Sequence, residues 1–218
     1  MENWYKEFNF YSQLAIMKTL GQDVGIIITG EKGVGKSTFA IELDKQITHT
    51  SYDEILENLI FEARDFMERI KKLKNTMIVW DEVGLELFSR ESMTTKNRLI
   101  AKIFQAFRFK YINVIFTIPS IWELDIELRR LANFHINVVW HGIGVVNRIY
   151  QGASYPLGML YTANIPKDVY KRYFYKKELN YKRIIEQIDE KIMEKKIEKE
   201  YKLKRMRKSI GKVIKNAK

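Results

Sequence analysis

Residues 30 to 37 read GEKGVGKS, and no other stretch limits the fold of this 218-residue chain so tightly. Gly30, four residues, Gly35, Lys36 and Ser37 match the phosphate-binding loop pattern without a mismatch. That pattern has meaning only between a buried strand and a helix. Both are predicted: Val24 to Thr29 is an apolar, β-branched run, and Ser37 to Gln46 reads as a helix. Gly33 and Gly35 let the backbone curl so that its N–H groups converge on phosphate oxygens. The helix adds the positive end of its dipole to the same anion. The phosphate-contacting stretch is therefore Gly30, Glu31, Lys32, Gly33, Val34, Gly35, Lys36, Ser37 and Thr38. Within it Lys36 reaches the β- and γ-phosphates, the Ser37 hydroxyl can ligate Mg²⁺, and Thr38 can reach the α-phosphate. The competing reading, a chance match in a glycine turn, has to ignore the strand before it and the helix after it. The deviant loop of partition-type ATPases is excluded, because its signature lysine would fall at Glu31.

A second motif follows the apolar run Met77-Ile78-Val79. Residues 80 to 84 read WDEVG, which two kinds of nucleotide enzyme could use. As D-x-x-G it would be the Mg²⁺ and γ-phosphate contact of a GTPase. As an apolar strand ending in Asp-Glu it would be the acidic pair of a motor-type ATPase. A GTPase reads its base with N-K-x-D, and no such tetrad occurs in the chain. The ATPase reading uses both acids. Asp81 holds the Mg²⁺ shell, and Glu82, one residue beyond the strand, orients and deprotonates water. Thr117, near the end of the strand Asn113 to Ile118, is placed where such enzymes sense the γ-phosphate. Its competing reading is a threonine packed in a strand, which suits its β-preference.

The remaining pattern alternates strands with helices and so predicts a parallel sheet with crossovers. A helix is expected over Trp4 to Leu20, ending at Gly21. Asp53 to Lys72 reads as mostly helical, with a short strand at Leu59 to Phe61. Further helices are expected over Thr94 to Phe107 and Ile121 to Leu131. His135 to Trp140, Val145 to Tyr150 and Met159 to Thr162 read as consecutive strands, with a hairpin at His141 to Gly144, and suggest antiparallel strands at one edge. Pro166 opens a long helix running to about residue 210. The division expected is an ATPase domain over 1–175 and a basic helical extension over 176–218.

Composition narrows the class. There are no cysteines, which removes disulfides and thiolate metal sites and fits a cytoplasmic protein. His49, His135 and His141 form no ligand pattern. No apolar run approaches the roughly 18 residues of a membrane span, so no integral membrane segment is expected. The opening MENWYKEFNF has no apolar signal region. The net charge of +11 is unevenly placed: residues 176–218 hold 16 basic and 7 acidic residues, so the rest of the chain is nearly neutral.

The order of motifs, phosphate loop, Asp-Glu strand, then Phe116-Thr117-Ile118-Pro119-Ser120, resembles the additional-strand, catalytic-glutamate division of P-loop ATPases. Within it the chain is similar to small FtsK/HerA-type and zonula-occludens-toxin-like ATPases of archaeal viruses, plasmids and genomes. The matching residues are Gly30 to Ser37, Phe61-Glu62-Ala63-Arg64-Asp65-Phe66, Val79 to Gly84, and Pro119-Ser120 with Leu128-Arg129-Arg130, within residues 20 to 175. Many FtsK/HerA members carry Gln where this chain has Thr117. The resemblance implies a RecA-like three-layer αβα P-loop domain with a mostly parallel sheet, antiparallel edge strands and a basic C-terminal helix. It also implies ATP and Mg²⁺ as cofactors, a homo-oligomer, and movement or remodelling of DNA. Ring-forming members complete the site with an arginine from a neighbouring subunit; Arg98, Arg108, Arg129 and Arg130 are the candidates, each with solvated surface as the competing reading. An ATP-gated assembly or DNA-binding protein with slow turnover fits the same motifs, and a secretion-associated ATPase fits them less well without a membrane span.

The extension carries Tyr181, Ile185, Ile188 and Ile192 at heptad spacing, a candidate seam for a protein partner. From Lys202 onward there are eight basic residues and no acid, which suits non-specific contact with the DNA backbone. An acidic membrane surface would attract the same charges. Cutting the chain after Tyr201 should therefore weaken DNA binding and leave the unfolding temperature unchanged. The slope of log affinity against log salt should become shallower, by up to about 0.9 per lost contact on duplex DNA. Identical slopes for the full and shortened proteins in a salt titration would remove the tail as a nucleic-acid element.

Overall fold

The computed structural model describes residues 9–83, 102, 110–124 and 126–216. Thr94 to Phe107, expected as a helix, lies outside the described residues except for Lys102. In chain order the elements are α1 (Phe10–Thr19), β1 (Gly25–Thr29), α2 (Lys36–Thr48), α3 (Tyr52–Glu57), β2 (Leu59–Ile60), α4 (Ala63–Lys72), β3 (Met77–Trp80) and β4 (Asn113–Thr117). A 3₁₀ turn (Ile121–Glu123) follows, then α5 (Ile126–Arg129), β5 (Phe134–Trp140), β6 (Ile143–Tyr150), β7 (Ala153–Tyr161) and α6 (Lys167–Asn216). The chain divides into two compact units, Met1–Arg172 and Tyr173–Lys218. No helix among the described residues is long and apolar enough to cross a membrane.

The seven strands among the described residues form one sheet in the order β2-β3-β4-β1-β5-β6-β7. The pairs from β2 through β5 are parallel. The pairs β5–β6 and β6–β7 are antiparallel. The result is a mostly parallel sheet with helices packed against it and an antiparallel edge. The parallel strands are apolar on both faces because both are covered; every residue of β1 and β3 is buried. Ile27, Ile78, Trp80, Val114 and Phe116 share one face with Phe66 and Ile70 of α4, and Leu124 and Leu128 complete that cluster. Trp80 anchors it, stacked on Phe66 at 5.1 Å with its indole N–H donating to the Phe61 carbonyl.

Local chemistry explains the boundaries. At the end of α1, Gly21 takes a left-handed backbone (φ 63°), and the N–H groups of Gly21 and Gln22 return to Lys18 and Met17. Pro166 stands at the N-cap of α6, its carbonyl accepting from Tyr170. Two expectations differ from what is seen. Residues 121 to 131 do not form one helix; Ser120 caps a 3₁₀ turn and Leu124 is extended as it enters the core. Strand β7 begins at Ala153 rather than Met159. Pro156 and Gly158 mask its first half, and they sit where the β6–β7 register shifts, on the outer strand, where a missing donor is tolerated.

The P-loop helix α2 also buries a carboxyl group. Asp44 is only 2% exposed and accepts a hydrogen bond from the Thr48 hydroxyl. Burial pushes it up to about 7, against the smaller downward pull of Thr48. The folded chain therefore binds more protons than the unfolded chain between pH about 4 and about 7. Stability falls as pH rises through that window and levels off above it. Asp44→Asn should flatten that slope and raise stability at pH 8 by on the order of 1 to 3 kcal/mol. Urea denaturation at pH 5 and pH 8 checks this, and equal slopes for the two proteins would reject it.

Candidate functional site

The carboxyl ends of β1, β3 and β4 bring the two motifs together. In open α/β sheets the binding crevice lies at these ends, where the strand order reverses. Strand β4 lies between β1 and β3, with β5 on the other side of β1. The parallel registers align Trp80 with Phe116 and Thr117 with Ile28. Residues 81 and 117 consequently leave their strands side by side, next to the start of the loop at Gly30.

The loop itself needs its glycines. Gly30 has φ 147°, and a Cβ there would sit 2.5 Å from the Val138 carbonyl oxygen of β5. Gly35 has φ 91° and is the N-cap of α2, with no side chain satisfying the first amides. The start of α2 therefore presents its amides and the positive end of its dipole toward the loop, as an anion site requires. Lys36 folds back over the loop, its ammonium donating to the carbonyls of Gly30 and Glu31 at 2.9 Å each. Thr38 Oγ1 donates to the Gly35 carbonyl. Glu31, Lys32 and Gly33 are exposed, and Val34 donates its N–H to the Glu31 carbonyl.

Asp81 is fully buried. Its Oδ1 accepts from the Ser37 hydroxyl at 2.7 Å and from the Thr117 hydroxyl at 2.5 Å. Thr117 in turn accepts from the backbone N–H of Glu82 at 2.9 Å. One carboxylate thus ties together the P-loop helix, the Asp-Glu strand and the strand between β1 and β3. Glu82 has a left-handed backbone, φ 53°, which costs a non-glycine residue about 1 kcal/mol and belongs to the sharp turn after β3. Behind the loop, Thr29 at the end of β1 is hydrogen-bonded to Asn137 and at 2.8 Å to His135 Nε2. Burial pushes His135 below its ordinary value, so at neutral pH it is an uncharged partner for Thr29.

The structure brings Ser37, Asp81, Glu82 and Thr117 into one hydrogen-bonded cluster with Lys36 on the adjoining loop. The arginines are elsewhere or undescribed. Arg129, on α5, lies 5.1 Å over the ring of Trp122. Arg130 lines a cavity of about 400 Å³ with Asp23 and Gly25, at the opposite end of β1 from Gly30. Arg98 and Arg108 lie outside the described residues, as does Gly84. The sequence assigned no role to Val138 or His141, yet both press on the loop from the β5–β6 hairpin. Nothing in a motif marks them; only the strand order puts that hairpin beside β1.

No protein-family model matches the chain. Uncharacterized protein B-251 of Sulfolobus spindle-shape virus 1 is 23% identical over 205 residues, covering 79% of this chain and 80% of the viral protein. Among solved structures, the chain is similar to the N-terminal domain of zonular occludens toxin from Neisseria meningitidis, with 14% identity, a TM-score of 0.44, and 69% and 98% of the two chains covered. It is also similar to the genome packaging NTPase B204 of Sulfolobus turreted icosahedral virus 2 in complex with ATP-γ-S, with 14% identity, a TM-score of 0.42, and 66% and 98% covered. A third likeness is to ATPases 2 and 3 of EssC from Geobacillus thermodenitrificans, with 14% identity, a TM-score of 0.44, and 73% and 44% covered. The toxin domain and the viral packaging NTPase are of the kinds that the order of motifs resembles.

Thr117→Val keeps the shape and removes the hydroxyl. It leaves the Glu82 N–H and one bond to Asp81 unmade at a buried position. A loss of about 1–3 kcal/mol in unfolding free energy is expected. Thr117→Ser should recover most of it. Urea denaturation of the three proteins checks this, and full stability in the valine variant would mean that the hydroxyl bonds are dispensable.

Proposed function

We propose that this chain is a Mg²⁺-dependent ATPase that works as a homo-oligomeric motor on DNA. The observation that carries the reading is the Ser37–Asp81–Thr117–Glu82 hydrogen-bond chain beside a phosphate-binding loop. The loop amides and Lys36 compensate the charge of the β- and γ-phosphates. Lys36 needs only to exchange its bonds to Gly30 and Glu31 for bonds to phosphate oxygens. Ser37 Oγ and Asp81 Oδ1 are hard oxygen donors 2.7 Å apart, a pair that fits Mg²⁺. Mg²⁺ held by this pair would supply positive charge to compensate the triphosphate.

Glu82 is the base. Water attacks the γ-phosphorus as the bond to the β-phosphate oxygen breaks, its proton passes to the Glu82 carboxylate, and ADP and inorganic phosphate leave. Thr117 holds the backbone of Glu82 and the carboxylate of Asp81 together, so it couples the base to the loop. ATP rather than GTP is the substrate, because the chain has no N-K-x-D tetrad. Arg129, or Arg108, would serve a neighbouring subunit's site. DNA is the partner suggested by the resemblance of the motifs to DNA-moving ATPases and by the basic extension over 176–218.

Lys36→Ala should abolish high-affinity ATP binding in calorimetry. Glu82→Gln should bind ATP as tightly as the wild type and lose about 10²–10⁴-fold in turnover. Steady-state hydrolysis with and without DNA tests the motor reading, which requires stimulation that fades with salt. Unchanged turnover in Glu82→Gln would reject the assigned base. Tight binding with negligible wild-type turnover would point instead to an ATP-gated assembly protein.

A further inference from the structure

The β5–β6 hairpin reaches the loop and the helix after it at three points. The Val138 carbonyl presses on Gly30. Gly144 leaves no room for a side chain against Phe39 of α2, since a Cβ there would lie 3.0 Å from that ring. At the tip, a Cβ on Gly35 would lie 2.9 Å from His141 Nδ1 and 3.2 Å from Thr38 Oγ1, so the imidazole and the Thr38 hydroxyl flank the same glycine. The tip is held firmly. Gly142 has φ 75°, its carbonyl accepts from the Thr162 N–H at 2.8 Å, and a Cβ on it would meet the Thr162 carbonyl oxygen at 2.7 Å. Trp140 is 67% exposed and meets His141 edge-on, with ring centroids 6.5 Å apart.

We propose that Trp140 and His141 form the nucleoside end of this site, His141 against the α-phosphate and ribose and Trp140 as the stacking surface for the base. The inference rests on the reading of the loop as a triphosphate site, and it extends that site past the phosphates. Thr38 is the loop residue at the α-phosphate end, and His141 is its neighbour across Gly35. A nucleotide seated with its phosphates on α2 must carry its ribose and base away from Thr38, and the hairpin tip is the surface beside that residue. An indole offers a π-face to any base, which agrees with a chain that has no base-reading tetrad. His141 is exposed and carries donor and acceptor nitrogens, as a ribose hydroxyl or phosphate oxygen requires. The hairpin's contacts with Gly30 and Phe39 keep this surface in register with the loop, so the binding geometry is preformed.

The test is calorimetric binding of ATP, ADP and inorganic tripolyphosphate, with Mg²⁺, to the full chain and its variants. Trp140→Ala should weaken ATP and ADP by about ten-fold or more, the order of one lost base stack, and leave tripolyphosphate unchanged. Trp140→Phe should restore most of the loss. His141→Ala should weaken ATP more than tripolyphosphate. Both side chains are exposed, and thermal unfolding of each variant checks that the fold is intact. Wild-type ATP affinity in both alanine variants would overturn the inference while leaving the loop in place, and so would an equal loss for tripolyphosphate in both. A wild-type chain that binds neither ATP nor tripolyphosphate, or a Lys36→Ala chain that binds both normally, would remove the loop reading and this inference with it.

Discussion

The carboxylate of Asp81 is the point on which the arrangement depends. It is buried without exposure to solvent, and a buried carboxylate without donors costs several kcal/mol. Its donors come from two other segments, Ser37 at the start of α2 and Thr117 at the end of β4. Neither donor is near Asp81 in sequence. They meet because β4 lies between β1 and β3 and because the parallel registers end these strands level with one another. Any slip of β4 against β3 would strand the carboxylate, so the same bonds that shape the site also hold the strand register.

The order of the donors matters as well. Ser37 and Thr117 both give their protons to Asp81, and Thr117 can then accept only through its lone pairs. The Glu82 N–H supplies that bond at 2.9 Å. The chain of bonds therefore runs in one direction, from the backbone of Glu82 through Thr117 to Asp81. It offsets the left-handed backbone of Glu82, which a glutamate does not adopt without compensation. A valine at 117 would pack equally well in the strand, so the hydroxyl and not the β-branched shape decides the residue. Thr117 is thus a buried strand threonine whose hydroxyl is also bonded on both sides.

Much of this was legible because the phosphate loop and the Asp-Glu strand each state their own context. A buried run, a glycine turn and a helix have to follow one another, and the apolar strands are continuous because both of their faces are covered. The strand at Leu59 and Ile60 was legible for the same reason, short as it is. The failures have local causes. Residues 121 to 131 carry apolar residues at helical spacing, but Ser120 and the extended Leu124 break the pattern with contacts that periodicity does not encode. The first half of β7 was hidden by Pro156 and Gly158, which read as breakers and serve as a register shift at the edge of the sheet. The approach of His141 to Gly35 was illegible altogether. A single histidine in a turn has no pattern, and its neighbour Gly35 lies more than 100 residues earlier.

The loop's glycines illustrate how one residue answers two demands. Gly30 is usually explained by the approach of a phosphate, yet here its missing Cβ is required by the Val138 carbonyl, 2.5 Å from where that atom would be. The contact is made by backbone on both sides. Changing the Val138 side chain therefore leaves it intact, whereas any side chain at position 30 would push β5 away from β1. Moving β5 would carry the hairpin tip with it, because Gly144 is wedged between Ile136 and Phe39. The shape of the phosphate loop, the P-loop helix and the antiparallel edge is thus one packing problem. A Cβ at Gly30 or at Gly144 would force that packing to shift, and the first of these falls inside the motif while the second has no motif to announce it.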